Sequence, residues 1–181
     1  MDIEEIKQFL VEAESKTYVA GKEGDVFKTE LSLSLPREIV YEYPKVGFSK
    51  PDLRYIDRYF GGLKFAGQEV IFKNYDVPVW GRSYYGVISP TSDYTKEMIL
   101  SLVKQGRSRF ISNLWGGAAE WQSLVGNNFI FVIRFPNPNN ASLGNFIYHE
   151  WIFPLCEYQD MDDECEEKVL FHRVCTGGII E

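Results

Sequence analysis

The chain alternates between two kinds of apolar spacing. Ile3, Ile6, Phe9, Leu10 and Ala13 recur on one face of a 3.6-residue period, with Asp2 placed as a cap and Glu5 in capping-box position. This predicts a helix from the start of the chain to about Lys16, stopped before Tyr18-Val19-Ala20-Gly21. Leu31, Leu33 and Leu35 then alternate with Ser32 and Ser34 as in a half-exposed strand, and Ile39-Val40-Tyr41 forms a second short run before Pro44 and Pro51. Residues 22–52 read as an irregular flap or an extra hairpin.

From Leu53 to Ile88, three apolar-aromatic runs are separated by Gly61-Gly62, Ala66-Gly67 and Asn74-Tyr75-Asp76-Val77-Pro78, the punctuation of a three-stranded antiparallel meander. Period-two alternation puts Tyr55, Asp57 and Tyr59 on one face of the first strand, Glu69 with Ile71 in the second, and Trp80, Arg82 and Tyr84 opposite Gly81, Ser83 and Tyr85 in the third. After Ser89-Pro90 a second helix is signalled by Thr91-Ser92-Asp93 as caps and Met98, Ile99, Leu102 and Val103 as a stripe. Gly106 is its expected stop, with Lys104 and Arg107 suiting the macrodipole. Phe110-Ile111 reads as a strand start broken by Gly116-Gly117, and Ala118 to Val125 as a short helix carrying Trp121. Three further strands are expected at Asn128–Phe135, Asn145–Phe153 and Val169–Thr176, the last two separated by a solvated acidic loop from Glu157 to Glu167.

Self-similarity reorganises these elements. Glu69-Val70-Ile71-Phe72 recurs as Glu150-Trp151-Ile152-Phe153, and Val77–Ile88 aligns without a gap on Val169–Ile180. The expected architecture is therefore α+β: one domain over residues 1–181, with pseudo-repeats of about 1–90 and 91–181. Each repeat is a helix-βββ unit, and the two join into a largely antiparallel sheet with helices on one face and a cleft on the other. Glu69 and Glu150 would be related positions near the pseudo-twofold axis, either in that cleft or facing solvent.

Composition narrows the function classes. The 11 Tyr, 13 Phe and 4 Trp favour sheet, and the net charge of −7 argues against a phosphate-binding, nucleic-acid surface. The charge suits solubility, and also a cationic ligand or a basic protein partner. Neither a signal peptide nor an apolar run of membrane-spanning length is present, so a cytoplasmic protein without membrane contact is expected. Cys156, Cys165 and Cys175 are an odd number and are expected to be reduced thiols.

No metal or cofactor is expected. His172 and Cys175, three apart in a strand, point to opposite faces, and the Cys156–Cys165 spacing fits no zinc knuckle. His149 and His172 lie in no nucleophile motif, and the Gly-Gly pairs lack a phosphate-loop context. What remains is a set of carboxylates among aromatics: Tyr55, Asp57, Tyr59, Glu69, Trp80, Tyr85 and Glu150. Such a pocket attracts an amine or quaternary ammonium through charge and cation–π contact, or raises a glutamate pKa until it serves as a general base.

Several segments also resemble a family. Phe9-Leu10-Val11-Glu12-Ala13, Tyr55 to Gly62, Phe65 to Glu69, Pro78-Val79-Trp80, Tyr84-Tyr85-Gly86 and the closing Gly177-Gly178-Ile179-Ile180 resemble a bacterial family of domains of unknown function. Some of its members follow a helix-turn-helix regulator domain of the XRE type. Residues 22–52 and 115–145 depart from it, and no such module precedes Met1, so a regulator role in cis is not expected. The duplicated layout is more loosely similar to GyrI-like ligand-binding domains, in which a cleft glutamate among aromatics binds lipophilic cations. That similarity implies the same role for Glu69. The leading expectation is a sensor-like domain for a small cationic or aromatic ligand, with a protein partner or homodimer left open. A hydrolase with Glu69 or Glu150 as base, and an acidic protein-binding or immunity protein, are the alternatives.

Overall fold

The computed structural model describes residues 2–19, 37–42, 53–74, 76–110, 119–137, 142–155 and 169–180. The chain runs α1 (Ile3–Glu14), a π-helical turn (Ser15–Val19), β1 (Arg37–Glu42), β2 (Leu53–Gly61), β3 (Lys64–Lys73) and β4 (Val77–Ile88). It continues with α2 (Lys96–Phe110), β5 (Glu120–Val125), β6 (Phe129–Arg134), β7 (Asn145–Pro154) and β8 (Phe171–Ile179). The strands form one eight-stranded sheet in the order β1-β2-β3-β4-β8-β7-β6-β5, antiparallel at every step. Among the described residues a helix followed by four strands occurs twice in the chain order, and the last strands of the two sets, β4 and β8, lie side by side at the centre. No described helix is long and apolar enough to cross a membrane.

The two helices cover one face of this sheet. α1 buries Ile6, Phe9, Leu10, Ala13 and Glu14, and α2 buries Ile99, Leu102, Val103, Gly106 and Arg107 in the same spacing. Both stripes pack on one continuous core with Tyr55, Ile71, Trp80, Tyr84, Phe131, Phe146, Tyr148 and Phe171. Burial of each such aliphatic or aromatic side chain is worth about 1.5–3 kcal/mol, enough to override local preferences.

Three local expectations yield to that core. α2 does not stop at Gly106 but runs on to Phe110, because Gly106 sits where a Cβ would lie 2.3 Å from the Phe131 ring. Its cap is Thr95, whose hydroxyl accepts from the Met98 N–H. The Ala66-Gly67 pair does not break β3, since Gly67 instead makes room for Tyr84, whose hydroxyl would be 2.3 Å from an added Cβ.

The expected short helix around Trp121 is the edge strand β5. Trp121, Ser123 and Val125 turn toward α2 in alternation with Glu120, Gln122 and Leu124, and Trp121 packs edge-on against Phe110 at 4.9 Å. Among the described residues each helix is thus followed by four strands rather than three, with Ile39-Val40-Tyr41 inside β1. The Leu31–Leu35 strand and the acidic loop lie outside the described residues.

Candidate functional site

Among the described residues seven charged side chains are buried, and six of them form one array between the helices and the sheet. Glu69 on β3 lies directly across from Arg82 on β4, and Glu150 on β7 directly across from Arg173 on β8. Each arginine faces a glycine of the other central strand, Arg82 opposite Gly177 and Arg173 opposite Gly86; the space over Gly86 is taken by the Phe65 ring, and that over Gly177 by the neighbouring backbone and the Phe146 ring. α1 adds Glu14 one turn after Leu10, and α2 adds Arg107 one turn after Val103, so both point where the apolar stripes point.

The result is an alternating ladder, Glu69–Arg82–Glu14–Arg107–Glu150–Arg173. Arg82 bonds Glu69 and, at 2.7 Å, Glu14. Arg107 Nη2 donates to Glu14 at 2.8 Å, and its Nε is 3.7 Å from Glu150. Arg173 grips Glu150 with two bonds, at 2.8 and 2.7 Å. Arg82 also donates to the Tyr148 hydroxyl at 2.6 Å.

Withdrawing one such ion from water costs several kcal/mol, and the ladder tolerates six because three carboxylates and three guanidinium groups cancel. Burial works to raise the Glu14 carboxyl, but Arg107 and Arg82 outweigh it and hold it below the usual range. Glu150 is likewise held low, burial being outweighed by Arg173 and Arg107.

Asp57 stands outside this balance. It continues the Arg82–Glu69 row onto β2, where the matching row of the other half, Arg173–Glu150, continues onto Ile133 of β6. Asp57 is buried, and its Oδ1 accepts a 2.8 Å hydrogen bond from the Tyr84 hydroxyl, which reaches it over Gly67. Burial first, and then the neighbouring Glu69 charge, pushes its carboxyl up to about 7. The Arg173 guanidinium lies 5.3 Å from the centre of the Tyr84 ring.

Of the residues singled out in the sequence, Tyr55, Asp57, Glu69 and Trp80 are buried together on the helix-covered face, with half-buried Tyr59 at its margin. Glu150 is on the same face in the other half, whereas Tyr85 lies on the opposite face, half exposed. Neither glutamate faces solvent; each is closed by an arginine. Trp80 Nε1 and Arg82 Nε are buried donors without an acceptor among the described residues.

Sequence reasoning missed Glu14, Arg82, Tyr84, Arg107, Tyr148 and Arg173. A signal was present for three of them: Glu14 and Arg107 are in phase with apolar helix stripes, and Arg82 sits between Trp80 and Tyr84 on an inward-facing period-two run.

The helix-free face differs in character. Ile130, Val132 and Phe153 form a small apolar cluster joined by Trp151, Leu155 and Val169, while Phe60, Tyr85 and Ile147 are exposed. His149, His172 and Trp151 stand together there with near-parallel rings. No group of three or more metal-ligating side chains occurs among the described residues.

Residues 57–123 match a domain of unknown function, DUF5680, a span that is less than half of the chain. It contains Asp57, Glu69, Arg82, Tyr84 and Arg107 but not Glu14, Tyr148, Glu150 or Arg173. Neither a curated protein nor a solved structure is found to match.

Proposed function

We propose that the chain is a small-molecule-binding, sensor-like domain for cationic or aromatic ligands, made of two related halves, with Asp57 rather than Glu69 as the acid that meets the ligand's charge. The relatedness rests on the repeated helix stripes and on the Glu69–Arg82 and Glu150–Arg173 pairs at matching places in the sheet. The observation that carries the ligand reading is the partner of Asp57. Among the described residues it is the buried carboxyl bonded to a phenol instead of a guanidinium.

A glutamate neutralised by arginine offers little to a cation, whereas a ligand ammonium beside Asp57 favours its ionised form and displaces its proton. Tyr55, Tyr59 and Tyr84 supply ring faces nearby, each cation–π contact giving roughly 0.5–2 kcal/mol. The buried donors Trp80 Nε1 and Arg82 Nε add a preference for a ligand that also carries an acceptor, since an unsatisfied buried donor costs roughly 1–3 kcal/mol.

Calorimetric titration against lipophilic amines and quaternary ammonium compounds tests this. Hits should bind Asp57→Asn at least tenfold more weakly and should release a proton at pH 6. Equal binding by wild type and Asp57→Asn removes Asp57 from the site. The raised Asp57 carboxyl also favours a second reading, a general base for hydrolysis. Turnover of an activated ester panel that disappears in Asp57→Asn would select it.

A further inference from the structure

We propose that His149 and His172 are a two-imidazole chelate for a borderline divalent transition-metal ion, Ni2+ or Cu2+ in preference to Zn2+, on the helix-free face of the sheet. His149 on β7 pairs in register with Val174 on β8, and His172 on β8 pairs with Trp151 on β7, so the two histidines are diagonal neighbours on hydrogen-bonded strands. Both are partly open to solvent. Their Nδ1 and Nε2 atoms lie 3.1 Å apart.

That separation is the one two cis ligands of a single ion adopt. Imidazole nitrogens bound at about 2.0–2.1 Å stand roughly 2.8–3.4 Å apart when the angle at the metal is between octahedral and tetrahedral. In the metal-free pair one nitrogen carries a proton and the other accepts it. To ligate, the donor histidine shifts to its other tautomer, so that both contact nitrogens present lone pairs, and the rings turn toward the ion. Neither ring changes its net charge. Water completes the coordination, and imidazole-only donation orders these ions with copper ahead of nickel and zinc.

The surroundings are compatible with a cation. The nearby cation, Arg134, sits across from His149 on β6 and is engaged by the Glu120 carboxylate on β5. Trp151 packs beside both histidines, with ring centroids 5.1 and 5.3 Å away. The site is on the opposite side of the sheet from Asp57, so it stands or falls independently of the ligand reading above.

Ni2+ is the probe, titrated into the Cys156→Ser/Cys165→Ser protein so that thiols do not compete, with calorimetry and tryptophan fluorescence followed together. One equivalent should bind and quench the tryptophan emission. His149→Gln and His172→Gln should each weaken binding at least tenfold, because each leaves one imidazole. Affinity unchanged in either histidine variant, or absent once the two cysteines are replaced, overturns the proposal.

Discussion

The two halves of the sheet carry the same buried pair and differ in what lies beside it. In β1–β4 the Glu69–Arg82 row runs on to Asp57, and Tyr84 projects a hydroxyl over Gly67 to meet it. In β5–β8 the Glu150–Arg173 row runs on to Ile133, and the residue facing Tyr84 across the central strands is Cys175. The shared feature is a closed charge balance that holds helices to sheet. The difference is one carboxyl and one phenol, present in the first half and replaced by an apolar side chain and a thiol in the second. Shared charges link helices to sheet; the unmatched acid is the one on which the proposed ligand binding rests.

The largest loss is expected where a shared charge is removed. Glu14→Gln leaves Arg82 and Arg107 facing each other without their common carboxylate and should cost about 5 kcal/mol, the upper end for breaking a buried pair, measured by urea denaturation. A loss below about 1 kcal/mol would mean that the ladder is not what fastens α1 to α2.

Removing the unmatched acid should act through pH. Asp57 holds its proton up to about 7 when folded, against an ordinary value of 3.8 once the chain unfolds and water surrounds the carboxyl. The folded form therefore binds more protons between these values, and this group's contribution, complete below 3.8, declines as pH rises to about 7. The difference in stability between wild type and Asp57→Asn should therefore shift by about 4 kcal/mol in favour of the variant between pH 4 and pH 8. A pH-independent difference would place Asp57 in an ordinary ionised state. The smallest effect is expected from an ion pair at the surface of the second half: Arg134→Ala, which releases Glu120, should change stability by less than about 1 kcal/mol in the same assay.

Much of this fold was legible in the chain because its elements are long and periodic. The α1 stripe, the alternation along β2 and β4, and the Glu-x-Ile-Phe strands of β3 and β7 each carry their own signal. β5 was not legible, since Ala119 to Val125 is short and its alternation is blurred by Ser123, and only packing on α2 decides that it is a strand. α2 passes its expected stop because the close approach of Phe131 makes Gly106 a packing residue instead of a terminator.

At the site, period-two alternation groups Asp57 with Tyr55 and Tyr59, and Glu69 with Ile71, but these residues lie under the helices and not in a cleft on the helix-free face, as the sequence led one to expect. Their partners escape the alternation, because a charge on an apolar stripe reads as a surface feature. Arg107 suits the helix dipole on sequence grounds, although its position one turn after Val103 puts it inside.

The ladder also has a consequence for how the chain reaches its native state. Its links join residues 68 and 93 positions apart, Arg82 to Glu14 and Arg107 to Glu14, and they run from the first helix through both halves of the sheet. No half can neutralise its own buried ions: the first contains Glu69, Arg82 and Glu14 with an excess carboxylate, and the second contains Arg107, Glu150 and Arg173 with an excess guanidinium. Each half is thus an incomplete electrolyte until it meets the other. Complete neutralisation therefore requires contact between segments distant in sequence, and the two halves are expected to unfold in one cooperative transition.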